Sequence, residues 1–262
     1  MDNYKFYFQQ FDINKASVCF TWDDNFSRHK EIIAPLFLQN KKRCTFYVNI
    51  GDTNFSQSIL GYYLKLQNQG FEIGSHGYNH IHMSQLNEYD FLKQLKESIR
   101  GMEYVLKRRP TTFAFPHHDY NENMLLLTKR FFLETRNTLS NSIRISLKSN
   151  TKSSDIFNKI TETVFHKCNI VFSGHSIKTE EDEEKNYIDG YEPIDIKNLK
   201  EILDFLDTNK YNLDVITFEQ AALKEYIKKK CNYTNIYYTL NDTNLDELLS
   251  FGFNMDTILS LS

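Results

Sequence analysis

Cysteine is sparse, 4 in 262 residues. Cys19, Cys44, Cys168 and Cys231 lie far apart with no paired spacing. That argues against a disulfide framework and a thiolate zinc site, and makes a reducing compartment the simplest home. Proline and glycine are also few, 4 and 9, which excludes collagen-like and proline-rich chains. No apolar run reaches the ~18 residues of an ordinary membrane helix. Neither sign of charge prevails: 31 Lys and Arg against 34 Asp and Glu leave a net charge of -3. The basic footprint of a nucleic-acid binder is therefore missing. The opening Met1-Asp2-Asn3-Tyr4-Lys5-Phe6 lacks the basic segment and apolar stretch of a secretory signal. A cytoplasmic protein with no membrane and no nucleic-acid partner is expected.

What the chain does have is material for a core. Apolar residues make up 40% and aromatics 15%, with 21 Phe and 16 Tyr, whereas disordered chains are poor in them. At ~150 residues per domain the length suits one or two domains. Short β-branched or aromatic runs at 17–22, 44–48, 71–73, 112–115, 143–147, 169–172 and 213–216 read as strands. Helices are expected at 29–39, 57–68, 85–108, 121–132, 153–166, 196–209 and 218–229. In the longest of these, Leu92, Leu95, Ile99, Met102 and Leu106 step by three and four along one face. Ser84 stands where a cap would, and Pro110 stops the run. The alternation implies an α/β protein with a parallel sheet. Seven strands suit a distorted (β/α) barrel in a single domain over 16–229, with an N-terminal segment 1–15 and a C-terminal tail 230–262. The acidic run 178–186 reads as a solvated loop, with a substrate lid as the sharper alternative.

Functional groups of a parallel barrel gather at the C-terminal ends of its strands. Three sets stand just there. Asp23 and Asp24 follow Thr21-Trp22, His76 and His80 follow Ile73-Gly74-Ser75, and His175 follows Phe172-Ser173-Gly174. The spacing of His76 and His80 suits two imidazoles on one side of a helical turn. The zinc-protease pattern needs Glu after the first His, where Gly77 stands. Two imidazoles and one carboxylate suit Zn²⁺ or another first-row divalent ion, and the second carboxylate can act as a base. A helix cap is the alternative for the Asp pair. His29, His82 and His166 show no partner pattern.

Together these residues resemble the polysaccharide deacetylases, carbohydrate esterase family 4 with its NodB-homology domain. Thr21-Trp22-Asp23-Asp24 looks like the first family motif, and His76-Gly77-Tyr78-Asn79-His80 is similar to the second. Gly70-Phe71-Glu72-Ile73-Gly74-Ser75 looks like the strand leading into it. Phe113-Ala114-Phe115-Pro116-His117 resembles the third motif, and Ser173-Gly174-His175 the fifth. Order and spacing agree over roughly 16–226.

The resemblance implies a role for each residue. Asp23 is the general base. Asp24, His76 and His80 hold a divalent metal, Zn²⁺ first, with Co²⁺, Ni²⁺ and Mn²⁺ as alternatives. The backbone N–H of His117 helps to stabilise an oxyanion, and His175 is the acid that protonates the leaving amine. The chain also departs from the family. Ala114 stands near the usual Arg of the third motif, and Arg136 is assigned to supply that guanidinium. The Asp-Trp fourth motif is absent, Ser176 replaces an Asp, and Gly77 replaces Ser or Thr. His117 and His118 form a further pair, for substrate contact or a supplementary ligand. The implied activity is removal of an N-acetyl group from an acetylated sugar or oligosaccharide. The rival readings are an inactive barrel that binds carbohydrate, a hydrolase of another non-peptide amide, and a structural barrel.

Overall fold

An Ala-Ser-Val-Cys-Phe-Thr-Trp-Asp run is buried along its whole length in the first strand, β1 (Ala16–Asp23). Burial on both faces is what a covered parallel sheet demands. The computed structural model describes residues 11–51, 57–184, 192–209, 212–230 and 242–253. After β1 come a π-helical turn (His29–Ile33), α1 (Ala34–Gln39), β2 (Thr45–Val48), α2 (Gln57–Asn68), β3 (Glu72–Ser75) and α3 (Glu88–Leu106). They are followed by β4 (Thr112–Phe113), α4 (Glu122–Thr128), β5 (Glu134–Thr135), β6 (Ser142–Ser146), α5 (Ser153–His166) and β7 (Asn169–Gly174). The remainder is β8 (Ile177–Lys178), α6 (Glu180–Glu184), β9 (Ile194–Asp195), α7 (Ile196–Thr208), β10 (Leu213–Val215), α8 (Phe218–Lys230) and α9 (Asp242–Ser250). No helix among the described residues is long and apolar enough to cross a membrane.

The chain divides into two compact units, and the division falls inside β2. One unit holds Phe11–Phe46 and Asn141–Ala221. In it β1 pairs in parallel with β7, from Ser17 opposite Asn169 to Trp22 opposite Gly174. β6 lies parallel to β7, and β10 lies parallel to the start of β1. The aromatic centre is Phe20, with ring centroids 5.1 Å from Phe37 and 4.9 Å from Phe172. α5 buries Ile156 and Ile160, and α7 buries Leu199, Ile202, Leu203 and Leu206. Phe157 and Phe205 stack at 4.3 Å where these helices meet.

The other unit holds Tyr47–Ser140 and the described residues from Ala222 onward. Its sheet order is β5-β4-β3-β2, with β4 parallel to both β3 and β5. α3 presents Phe91, Leu95 and Ile99 to Phe113, Phe115, Met124, Leu127 and Phe132. Each such side chain contributes about 1.5–3 kcal/mol when fully buried. From the expected tail, α9 buries Leu248, and Glu247 accepts the Tyr226 hydroxyl at 2.7 Å.

Some boundaries differ from expectation. α3 starts at Glu88 because Asn87, not Ser84, is its cap, accepting the Asp90 N–H at 3.0 Å. It ends at Lys107, which turns left-handed at φ 56° three residues before Pro110. Two-residue strands such as β5, β8 and β9 were too short to show a period. Parts of the expected N-terminal segment, acidic loop and C-terminal tail, at 1–10, 185–186, 231–241 and 254–262, lie outside the described residues.

Candidate active site

In the unit built on β1 and β7, the functional groups sit at strand ends. Asp23, the last residue of β1, is only 2% exposed, and a carboxylate so buried needs compensating polar partners. Asp24 leaves the strand at φ 69°, a left-handed conformation that Asp tolerates better than most residues. β7 ends on Gly174, and here glycine is required: a Cβ would lie 2.8 Å from Cζ3 of Trp22. The half-buried His175 comes next. Its backbone carbonyl is 2.8 Å from Nε2 of His29. A carbonyl only accepts, so Nε2 of His29 carries the proton. His29 is itself 1% exposed.

In the other unit, β3 delivers His76. Gly74 lies flat against the ring of Tyr47, where a Cβ would meet Cε1 at 2.5 Å. His76 is buried, with three of its polar groups engaged. Its N–H donates to the Val48 carbonyl at 2.9 Å, its carbonyl accepts Nδ2 of Asn49 at 2.5 Å, and Nδ1 donates to the Ala114 carbonyl at 2.8 Å. That last bond sets the tautomer and leaves Nε2 with its lone pair for a ligand. The expected helical turn from His76 to His80 is not formed. The segment is an irregular bend with Gly77 at φ 84°, and it brings the two rings to 5.3 Å between centroids.

Around His80 the imidazoles extend further than the sequence suggested. The His117 ring is 4.2 Å from that of His80 and stacks on His82 at 4.1 Å and 16°. Nδ1 of His82 faces Oδ2 of Asp119 at 3.4 Å, and Asp119 accepts the Ser84 N–H at 3.0 Å. Partial burial, then the charges of His80 and His82, make the His117 imidazole harder to protonate than usual. The Ser84 bonds, with help from His82, hold the Asp119 carboxyl below its ordinary value. His117 and His118 are both left-handed, at φ 56° and 54°.

Arg136 is 2% exposed, so it is not a surface arginine. Its N–H donates to the Phe113 carbonyl at 2.9 Å, carrying the chain on from β5. Its guanidinium carbon lies 5.3 Å from the Tyr47 ring centroid, within cation–π range. The Tyr47 hydroxyl donates to Thr112 at 3.1 Å, and Thr112 donates to the buried Glu72.

Asp24, His76 and His80 each offer one ligand atom, and these atoms lie within 4.8 Å of one another. This is the one group of three or more metal-type side chains found among the described residues. Two imidazole nitrogens and a carboxylate oxygen fit a first-row divalent ion.

The family model for polysaccharide deacetylase matches residues 12–135. That stretch, just under half of the chain, is similar to the polysaccharide deacetylases. The fold is an α/β distorted barrel like that of solved deacetylases and esterases. A peptidoglycan N-acetylglucosamine deacetylase, Bc1960, shares that fold at a TM-score of 0.55 and 17% identity, over 80% of this chain and 89% of that one. A family 4 acetyl xylan esterase from Clostridium thermocellum, solved with cobalt, is similar at 0.53 and 13%, over 78% and 89%. So is BA3943, a family 4 pseudoenzyme from Bacillus anthracis, at 0.55 and 14%, over 80% and 66%. No curated protein matches the sequence. The family match includes Asp23, Asp24, His76, His80 and His117 and stops before Arg136 and His175. Sequence reasoning passed over His29 because its partner is a backbone carbonyl, which leaves no pattern. The signal it did leave is its place one turn before Ile33 on a buried face.

Proposed function

We propose that this chain is a polysaccharide deacetylase, a metal-dependent hydrolase that removes an N-acetyl group from an acetylated sugar or glycan. The grouping of Asp24, His76 and His80 carries the reading. When bound, a divalent ion such as Zn²⁺ would lower the pKa of water and polarise the acetamide carbonyl. Asp23 takes a proton from the attacking water. The His117 N–H faces the oxyanion that develops on the acetamide oxygen. Arg136 orients the base. His175 gives a proton to the nitrogen as the C–N bond breaks, a step an amide needs because its nitrogen leaves poorly. An acid and a base in opposite protonation states make the rate bell-shaped in pH.

A second reading, a barrel that binds carbohydrate without turnover, draws on the missing fourth motif and on the likeness to a pseudoenzyme. Acetate release from a panel of N-acetylated sugars and oligosaccharides separates the two. Release by the wild type and its fall in Asp23→Asn support the hydrolase. Binding without release supports the second reading.

A further inference from the structure

The segment that follows β7 is held at two points by adjacent residues. His29 donates from Nε2 to the His175 carbonyl at 2.8 Å. Arg28 pairs with Oδ1 of Asp182 at 2.5 Å. Asp182 also accepts the N–H and hydroxyl of Thr179, at 2.7 and 2.8 Å. The two clamps thus bracket residues 175–182. They come from the point where the chain enters a π-helical turn (His29–Ile33), a rare geometry that recurs at functional sites. The His29 ring is fixed in turn, 5.0 Å from Phe46 and edge-on to Phe26 at 6.1 Å. A polar side chain is costly to bury unless a hydrogen bond compensates it, and a phenyl ring would fill this aromatic pocket as well. The bond to His175 supplies a reason for histidine.

We propose that His29 is a positioning residue for His175: by clamping its carbonyl it sets the direction of the imidazole that protonates the leaving nitrogen. The inference rests on the hydrolase reading above. His29 touches no substrate in this scheme and transfers no proton. It restricts the backbone turn at Gly174-His175-Ser176, where glycine would otherwise leave the chain free to pivot. A catalytic group misplaced by ~1 Å can lose ~10²-fold in rate.

Two substitutions separate positioning from packing. His29→Phe keeps the aromatic contacts and removes the donor. His29→Gln loses the ring but can place an amide N–H near the former Nε2. The probes are a short N-acetylglucosamine oligomer and para-nitrophenyl acetate, whose aryl oxide leaves without a proton. His29→Phe should lower turnover of the amide by ~10–100-fold and leave the aryl acetate rate and the metal content near wild type. His29→Gln should restore most of the amide rate. Equal losses on both probes, or no rescue by Gln, overturn the proposal.

A readout free of turnover comes from ¹H–¹³C spectra of the histidine rings, with the His175 signal assigned by its loss in His175→Gln. His29→Phe should shift or broaden that signal, and His29→Gln should not. An unchanged His175 signal in His29→Phe overturns the proposal even if activity falls. Absence of amide turnover in the wild type overturns the hydrolase reading instead, while the spectra still decide whether His29 holds His175.

Discussion

His76 and His175 each follow a buried parallel strand, yet the chain holds them differently. His76 is gripped through its N–H, its carbonyl and its ring nitrogen, so its Nε2 has a set direction before any ligand arrives. His175 is half-buried, and His29 grips it through its backbone carbonyl. A metal ligand gains from being pre-oriented, since outer partners fix both tautomer and ring. A proton donor must approach a leaving atom and then be reprotonated, which suits a side chain nearer to solvent. The contrast fits the proposal that the first histidine binds metal and the second transfers a proton.

The largest effect that sharpens this contrast is expected from His175→Ala. Turnover of an N-acetyl sugar should fall by ~10²–10⁴-fold, the usual contribution of a general acid, while para-nitrophenyl acetate hydrolysis and metal content hold. Equal losses on both substrates, read in parallel initial-rate assays, would break the division of roles.

Asn49→Leu probes the firmer region and should act on stability first. The His76 carbonyl would lose the donor now at 2.5 Å, and an unsatisfied buried acceptor costs about 1–3 kcal/mol. Thermal melts should show that loss, and metal titration a weaker affinity. A melt and an affinity both at wild-type level would mean that the grip on His76 is not needed.

The smallest effect concerns pH. Burial alone would raise the Asp182 carboxyl, but Thr179 and Arg28 outweigh it and hold it below its ordinary 3.8. A carboxyl depressed in the folded state stabilises above the unfolded value and loses that contribution as pH falls through the folded one. Asp182→Asn should therefore lower stability by about 1–2 kcal/mol at neutral pH. The gap to wild type should close as pH drops below about 3.8. Melts across pH that stay parallel would contradict the clamp on this segment.

Much of this was readable from periodicity. The stripe Leu95, Ile99, Met102 and Leu106 is the buried face of α3, and the apolar runs of β1 and β7 are the centre of their unit. Strand-end positions bring the Asp23-Asp24 pair and the histidines to one cleft, while the choice of Asp24 with His76 and His80 as ligands comes from the family resemblance; the ligand atoms of those three lie within 4.8 Å of one another. The turn expected between His76 and His80 failed because i,i+4 spacing is compatible with a bend, and Gly77 at φ 84° takes that option. The stack of His82 on His117 joins residues from two separate loops. Local pattern carries no record of such a contact. The same holds for Asn49 and His29, whose partners are main-chain carbonyls and impose no residue type on the other side.

Metal content of the purified protein tests the central claim most directly. The wild type, prepared with divalent ions available, should hold about one ion per chain, as one three-ligand site implies. Asp24→Ala, His76→Ala and His80→Ala should each hold far less while circular dichroism stays near normal. A wild type without metal, or three variants that retain it in full, would contradict the assignment of Asp24, His76 and His80 as ligands.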